Sequence, residues 1–330
     1  MPLNVHFLNV GQGDCTIVEF PSGRVAIVDI DNLQTVDPDT AREVIEEYQR
    51  SADYLIKQVL GRTVGGDLTR EASEFFRKNY APLTDPLAYC DTHIGRGREI
   101  FRLLITHPDM DHMTGLYRLY EQEQRQILNF WHTGFHDFNL AEWDQGGSRF
   151  DERDWDTYKK LRAGAAGGPK SLQKYAGATG NFWTDDAVEI WAPTPALERL
   201  AVDKDEPNIL SMVLKITYKG RSIVLGGDAT TDETWPEILA AGGVDHVDVL
   251  KASHHGRKTG YYGPAVKVMS PRLTITSVAE PEFDATSSYR RYSDYTVSLR
   301  KAGDIKITIA DNGTLYYPEM IEKHWKPRVE

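Results

Sequence analysis

The chain has 330 residues, 40% of them apolar, so a sizeable core can be buried in one large α/β domain or two small ones. With 38 basic against 49 acidic residues the formal net charge is −11, which argues against a dedicated scaffold for long nucleic acid, whose binding rests on many Lys and Arg contacts to phosphate. The opening MPLNVHFLNVGQGD lacks a basic segment followed by an apolar core, no apolar run approaches a membrane span, and Cys15 and Cys90 lie far apart without metal spacing. A protein of the reducing cytoplasm with no membrane partner is expected.

Alternating β-branched stretches, Val5 to Val10, Cys15 to Phe20 and Arg24 to Ile30, predict a strand meander. From Asn32 to about Ile100 the pattern turns helical and charged, which reads as two surface helices inserted after the third strand. Phe101 to Thr106 is a short apolar strand running into HPDMDH, and MTGLYRLYEQEQ has helical spacing, so the polar cluster sits on a strand-to-helix loop. Residues 129–184 are rich in Trp, Gly and polar side chains and read as a long irregular excursion facing substrate.

Further on, Val188 to Trp191, Ser211 to Tyr218 and Ser222 to Leu225 read as strands, the last ending in GGDAT, with a helix over Asp232 to Ala241. Val247 to Lys251 is a strand entering SHHG, and Leu273 to Ser277 is another. Asp294 to Lys301 reads as a helix, and Ile305 to Ala310 with Thr314 to Tyr317 as a closing pair. Without an interdomain linker or short-period repeat, residues 1–330 are expected to form a single domain whose second half repeats the logic of the first, with insertions at 33–99 and 129–184.

Within HPDMDH, His107, Asp109, Asp111 and His112 fall close together after a strand, and mixed imidazole and carboxylate sets bind hard or borderline divalent cations. A helix cap explains one of those acids but not two histidines around two aspartates. Asp228 follows the apolar run SIVLGGD, where an acid has no packing role and two glycines allow close approach to a ligand, although a cap for the next helix fits as well. His254 and His255 follow VDVLKAS in the same strand-end position; adjacent residues point differently, so one suits ligation and the other a contact with substrate or with the ligands.

Six segments in order, VGQGDCTIVEF, VAIVDID, ITHPDMDHMTG, NILSMVLKI, IVLGGDAT and LKASHHG, resemble the metallo-β-lactamase superfamily and, within it, the ComEC-like branch of DNA-uptake-associated and stand-alone hydrolases. The resemblance covers most of the chain outside 33–99 and 129–184. It implies an α/β fold, a four-layer αββα sandwich of two mixed sheets with helical and irregular insertions, holding two divalent metal ions, Zn²⁺ or Mn²⁺. Carried over, it gives His107 and Asp109 to one ion and Asp111, His112 and His254 (or His255) to the other, with Asp228 bridging. Asp29 orients ligands from behind, and Gln12 and Asp14 match a loop near the site. With His254 taken as the ligand, His255 and Asp111 are the candidate catalytic side chains. Asp109, in place of the second histidine of the usual pair, and Asn208 with Ser211, where a histidine commonly precedes the fourth motif, replace nitrogen by oxygen. Those changes harden the first site, bring Mn²⁺ in beside Zn²⁺, and leave Asn208 and Ser211 as substrate contacts.

The function expected is a metal-dependent hydrolase in which two cations about 3.5–4 Å apart activate a water, most naturally a phosphodiesterase or nuclease acting on nucleic acid or a nucleotide-like phosphodiester. Lys251, Arg257, Lys258, Tyr261 and Tyr262 follow the last strand end, and Arg290 and Arg291 stand beside Tyr289 and Tyr292. In an acidic chain this local set suits a phosphate-bearing, stacking substrate, with Arg257, Lys258 and Tyr261 as its contacts. An ester, lactone or thioester hydrolase of the same fold is the alternative. A non-catalytic, metal-stabilised interaction module is the other, docking a protein partner through the insertions at 33–99 and 129–184. The survival of every ligand type argues against that module.

Overall fold

Period-two alternation carries the first residues into the antiparallel strands β1 (Leu3–Phe7), β2 (Cys15–Glu19) and β3 (Val25–Ile30). The computed structural model describes residues 1–35, 38–51, 54–55, 68–134, 150–164, 166–180, 182–278, 284–318 and 326–327. Every residue of β3 is buried, as a strand covered on both faces requires, and it is followed in parallel by β4 (Ile100–Leu104), β5 (Ile127–His132) and β6 (Lys170–Gln173). The second half supplies β7 (Val188–Ala192), β8 (Val213–Tyr218), β9 (Arg221–Leu225), β10 (Val249–Lys251), β11 (Leu273–Thr276) and β12 (Tyr295–Ser298). The chain closes with β13 (Ile305–Ile309), β14 (Leu315–Tyr316) and β15 (Lys326–Pro327).

One mixed sheet has the order β14-β13-β1-β2-β3-β4-β5-β6 and the other β15-β12-β11-β10-β9-β8-β7. Their facing sides share one apolar layer, in which Val5, Phe7, Val28 and Leu104 meet Leu214, Ile223, Val249 and Ile275. Outside the first sheet, Trp155, Tyr158 and Leu161 of a helix at Glu152–Ala163 cover Leu103 and Phe130. Outside the second, helices at Pro195–Lys204, Thr234–Ala240 and Gly263–Met269 bury Leu197, Trp235, Ile238 and Val266 against Val224 and Leu250. The result is the four-layer αββα sandwich, with helices in the insertion after β3 at α1 (Pro38–Arg50) and α2 (Leu68–Asn79). Among the described residues, no helix is long and apolar enough to cross a membrane.

Two expectations are corrected. Residues 129–184 are not irregular throughout: they hold most of β5, all of β6 and the helix at Glu152–Ala163, because their apolar residues cover the sheet edge, while 135–149 lie outside the described residues. Asp294 to Lys301 is not one helix; Tyr295–Ser298 pairs in parallel with β11 and only Leu299–Ala302 turns helical. Four residues of TVSL type satisfy either period, and sheet pairing decides between them.

Candidate metal centre

β3 and β4 run parallel, as do β9 and β10, so each pair delivers its C-terminal ends to one side. The loops after those strands meet at one rim of the sandwich. The penultimate residue of β3 is Asp29, buried and left-handed at φ 56°, a strained choice for a side chain other than glycine. Its Oδ1 accepts the Thr106 N–H at 2.8 Å, and its Oδ2 accepts from Thr106 Oγ1 at 2.9 Å and His112 Nδ1 at 2.9 Å. A carboxylate only accepts, so His112 carries a proton on Nδ1 and presents Nε2 to the site. Thr106, having donated its hydroxyl proton to Asp29, can accept only from His107 Nδ1, 3.1 Å away, which turns His107 Nε2 the same way. Ser211 Oγ supports both halves: it lies 3.3 Å from His107 Nδ1 and accepts the Asp228 N–H at 2.6 Å.

Asp228 stands between two groups of donors. Its Oδ1 is 3.3 Å from His112 Nε2, and its Oδ2 is 3.3 Å from His255 Nε2. Asp111 reaches across, with Oδ2 3.3 Å from His255 Nε2 and Oδ1 3.7 Å from His112 Nε2. Three sets of ligand atoms each lie within 4.8 Å of one another: His107, His112 and Asp228; Asp111, His112 and His255; Asp14, Asp228 and His255. Four of these buried atoms, His107 Nε2, His112 Nε2, His255 Nε2 and Asp228 Oδ1, have no hydrogen-bond partner. Each such orphan costs about 1–3 kcal/mol, so several facing one volume fit a bound cation better than a packed core. Imidazole with carboxylate is the donor chemistry of borderline to hard divalent ions.

The electrostatics agree. Burial opposes charge on His112 and His255, but the Asp228 carboxylate beside each, with Asp29 and Asp111, raises both imidazoles well above their usual range. Burial likewise resists ionisation of Asp228, yet His255 and His112 hold it well below the carboxylate range. His107, dominated by burial, is lowered to about 3 and is therefore neutral, the form that ligates. Protons on these two imidazoles balance the acids, a charge that a bound cation could supply instead.

The structure places the other candidates as follows. Of the adjacent histidines, both left-handed at φ 50° and 59°, His255 enters the converging sets, whereas His254 stands at their flank with Nε2 3.7 Å from Asp228 Oδ2 and Nδ1 2.8 Å from Thr259 Oγ1. Which of the two enters the sets follows from the backbone turn, which adjacency alone does not reveal. Asp109 caps the turn at Met110–His112, accepting the Met110 N–H at 2.6 Å, and joins none of the three sets; burial and then Asp111 raise its carboxyl to about 7. Asp14 binds the Lys251 ammonium at 2.7 and 2.9 Å and Ser277 Oγ at 2.9 Å, and stands 3.5 Å from His255 Nδ1. Lys251 is thus buried in a pair with Asp14, not turned to substrate. Asn208 has a buried Oδ1 without a partner, whereas Tyr261 donates its hydroxyl to the Ser288 carbonyl at 3.2 Å. Lys258 is exposed and Arg257 half-buried beside His254. Gly13 of the GQGD turn admits no side chain: a Cβ there would lie 2.0 Å from the Asp111 carbonyl, which is how that turn locks onto the metal loop. Thr106, Thr259 and Ser277, which aim the imidazoles and Asp14, carry no signal in the sequence, being isolated hydroxyls.

No family model and no curated protein sequence matches the chain. Among solved structures, it is similar to the metallo-β-lactamase fold protein YhfI from Bacillus subtilis, with 9% identity over 95% of this chain and 99% of that one and a TM-score of 0.44. It is similar to CmlA, a diiron β-hydroxylase from Streptomyces venezuelae, with 13% identity over 83% of this chain and 44% of that one and a TM-score of 0.42. A long form RNase Z from yeast overlaps with 8% identity over 92% of this chain and 41% of that one at a TM-score of 0.41. The chain thus spans less than half the length of the latter two. The sandwich stands on its own strand order and layering, and the donor groups on their own geometry.

Proposed function

We propose that the protein is a metal-dependent hydrolase whose substrate is a phosphodiester of nucleic-acid or nucleotide type. The observation that carries the reading is the convergence of buried, partnerless His107, His112, His255 and Asp228 atoms on one volume at the rim. Two groups of donors share Asp228, one carboxylate oxygen to each side, which supports two ions, with His107 and His112 toward one and Asp111 and His255 toward the other. A pair of divalent ions would bring a water into its nucleophilic range and stabilise charge on the attacking and leaving oxygens.

The chain's own residues do the rest. Asp29, directly through His112 and indirectly through Thr106, keeps two imidazoles in one tautomer and orientation. Asp14, neutralised by Lys251, steadies His255 from behind. His254, partly open to solvent, faces the reacting group from the flank. Lys258, exposed four residues after His254, adds a positive charge in an otherwise acidic chain.

The test is metal analysis of the purified protein combined with a panel: bis(p-nitrophenyl) phosphate, single- and double-stranded DNA, RNA and a lactone, each with and without chelator. About two equivalents of metal and chelator-sensitive phosphodiester cleavage are expected. Turnover of the lactone alone assigns the ester chemistry instead, and a full metal complement with no turnover on any substrate overturns the hydrolase.

A further inference from the structure

Two arginines here meet an acid along the Nε and Nη2 edge of the guanidinium. Arg24 donates from Nε to Asp186 Oδ2 at 3.0 Å and from Nη2 to Asp186 Oδ1 at 2.9 Å, and Arg153 turns Nε and Nη2 to Asp151. Arg257 has the same two nitrogens shut away from solvent, and neither has a hydrogen-bond partner. A buried cationic fork with nothing to receive it is expensive, so it calls for an occupant.

The mount is rigid. The Arg257 N–H donates to the His254 carbonyl at 2.8 Å, its carbonyl accepts the Gly260 N–H at 3.1 Å, and its backbone bridges to Asp284. The acid across that bridge turns Oδ1 to Thr286, to its N–H at 2.5 Å and its hydroxyl at 2.6 Å. The backbone bond to His254 places Arg257 one turn after it. His254 Nε2 is in turn 3.7 Å from Asp228 Oδ2, so the turn that carries the unmet fork flanks the converging donors.

We propose that Arg257 determines specificity, its Nε and Nη2 edge gripping two non-bridging oxygens of a phosphoryl group whose phosphorus sits against the metal donors. A guanidinium fork matches paired anionic oxygens in a plane, which a phosphodiester or its product offers and a neutral ester or lactone does not. The assignment rests on the phosphodiester reading above and deepens it: the site selects a tetrahedral anion.

The probe is inorganic phosphate, titrated by calorimetry into the metal-loaded protein. Arg257→Gln is expected to weaken binding about 10- to 100-fold, the loss of a charge-assisted pair, and Arg257→Lys, which keeps the charge without the fork, to fall between. The melting temperature of phosphate-free Arg257→Gln should equal or exceed that of the wild type, since an unmet buried group is removed. Unchanged phosphate affinity, or a lowered melting temperature showing a structural role, overturns the proposal. Cleavage of bis(p-nitrophenyl) phosphate separates the two readings. If the wild type cannot cleave it yet binds phosphate through Arg257, the phosphodiesterase falls and the clamp stands; if Arg257→Gln cleaves it as well as the wild type, the clamp falls and the phosphodiesterase stands.

Discussion

Asp186 and Asp228 are both buried carboxylates among buried cationic or imidazole groups, and they belong to opposite ends of the same sandwich. Asp186, near the start of β3, accepts from Arg24 at 3.0 and 2.9 Å, from Ser22 Oγ at 2.6 Å and from Arg102. Arg102 is further enclosed by the rings of Phe101 at 4.8 Å and Trp131 at 5.2 Å. At the other end of β3 lie Asp29 and, across from it, Asp228, with an oxygen and four imidazole nitrogens left without partners. A closed network is a structural joint between the sheets. An open one of the same burial keeps polar atoms unpaired at a cost, and its donors suit a cation.

The sharpest way to break this contrast is to remove one imidazole from the open end. His255→Ala and His112→Ala are each expected to lose bound metal and reduce turnover to background with circular dichroism unchanged, whereas His254→Ala keeps its metal. Element analysis and the chelator-sensitive rate check this, and retention of metal in His255→Ala would sink the donor assignment. At the closed end, Asp186→Ala strands two arginines, one fully buried, and should cost about 3–5 kcal/mol in urea unfolding without altering metal content. A change in metal stoichiometry there would dissolve the distinction between the ends.

Asp29→Asn tests the support behind the open end. It removes the acceptor that fixes both His112 and Thr106, and a loss of about 10- to 100-fold in metal affinity is expected from competition with a chromophoric chelator, with the fold retained. The smallest effect belongs to Asp154, a buried acid between the two extremes, which accepts the Tyr117 N–H at 2.8 Å and is raised, mainly by burial, to about 6. Its folded pKa exceeds the unfolded value of 3.8, so its stabilising proton is fully present below that value and lost as pH rises through about 6. Asp154→Asn should therefore melt a few degrees above the wild type at pH 7.5 and level with it near about pH 4. A constant difference across that range would count against the shift.

The strand ends were legible because an acid or imidazole directly after a run such as SIVLGG or VDVLKA has no packing reason to be there. The two-sheet architecture came from the resemblance that the six ordered segments carry, not from the runs themselves. What adjacency conceals is direction: His254 and His255 are both left-handed, and only the turn decides which one faces Asp111. Lys251 read as a substrate-facing cation because its partner Asp14 lies 237 residues away along the chain. Asp109 looked like the second ligand of a pair, but a residue just before a tight turn also serves its backbone, and here it does. The strands at 127–132 and 170–173 were hidden by short length and mixed polarity, since edge pairing, not alternation, selects them.

The donors come from both sheets, His107, Asp111 and His112 from the first, with Asp29 behind them, and Asp228 and His255 from the second. During synthesis the first group leaves the ribosome well before the second exists, so on the proposed reading a nascent chain would carry only half of the donor set. Tight capture would then await docking of the later sheet, and metal retention would report on correct closure of the two halves.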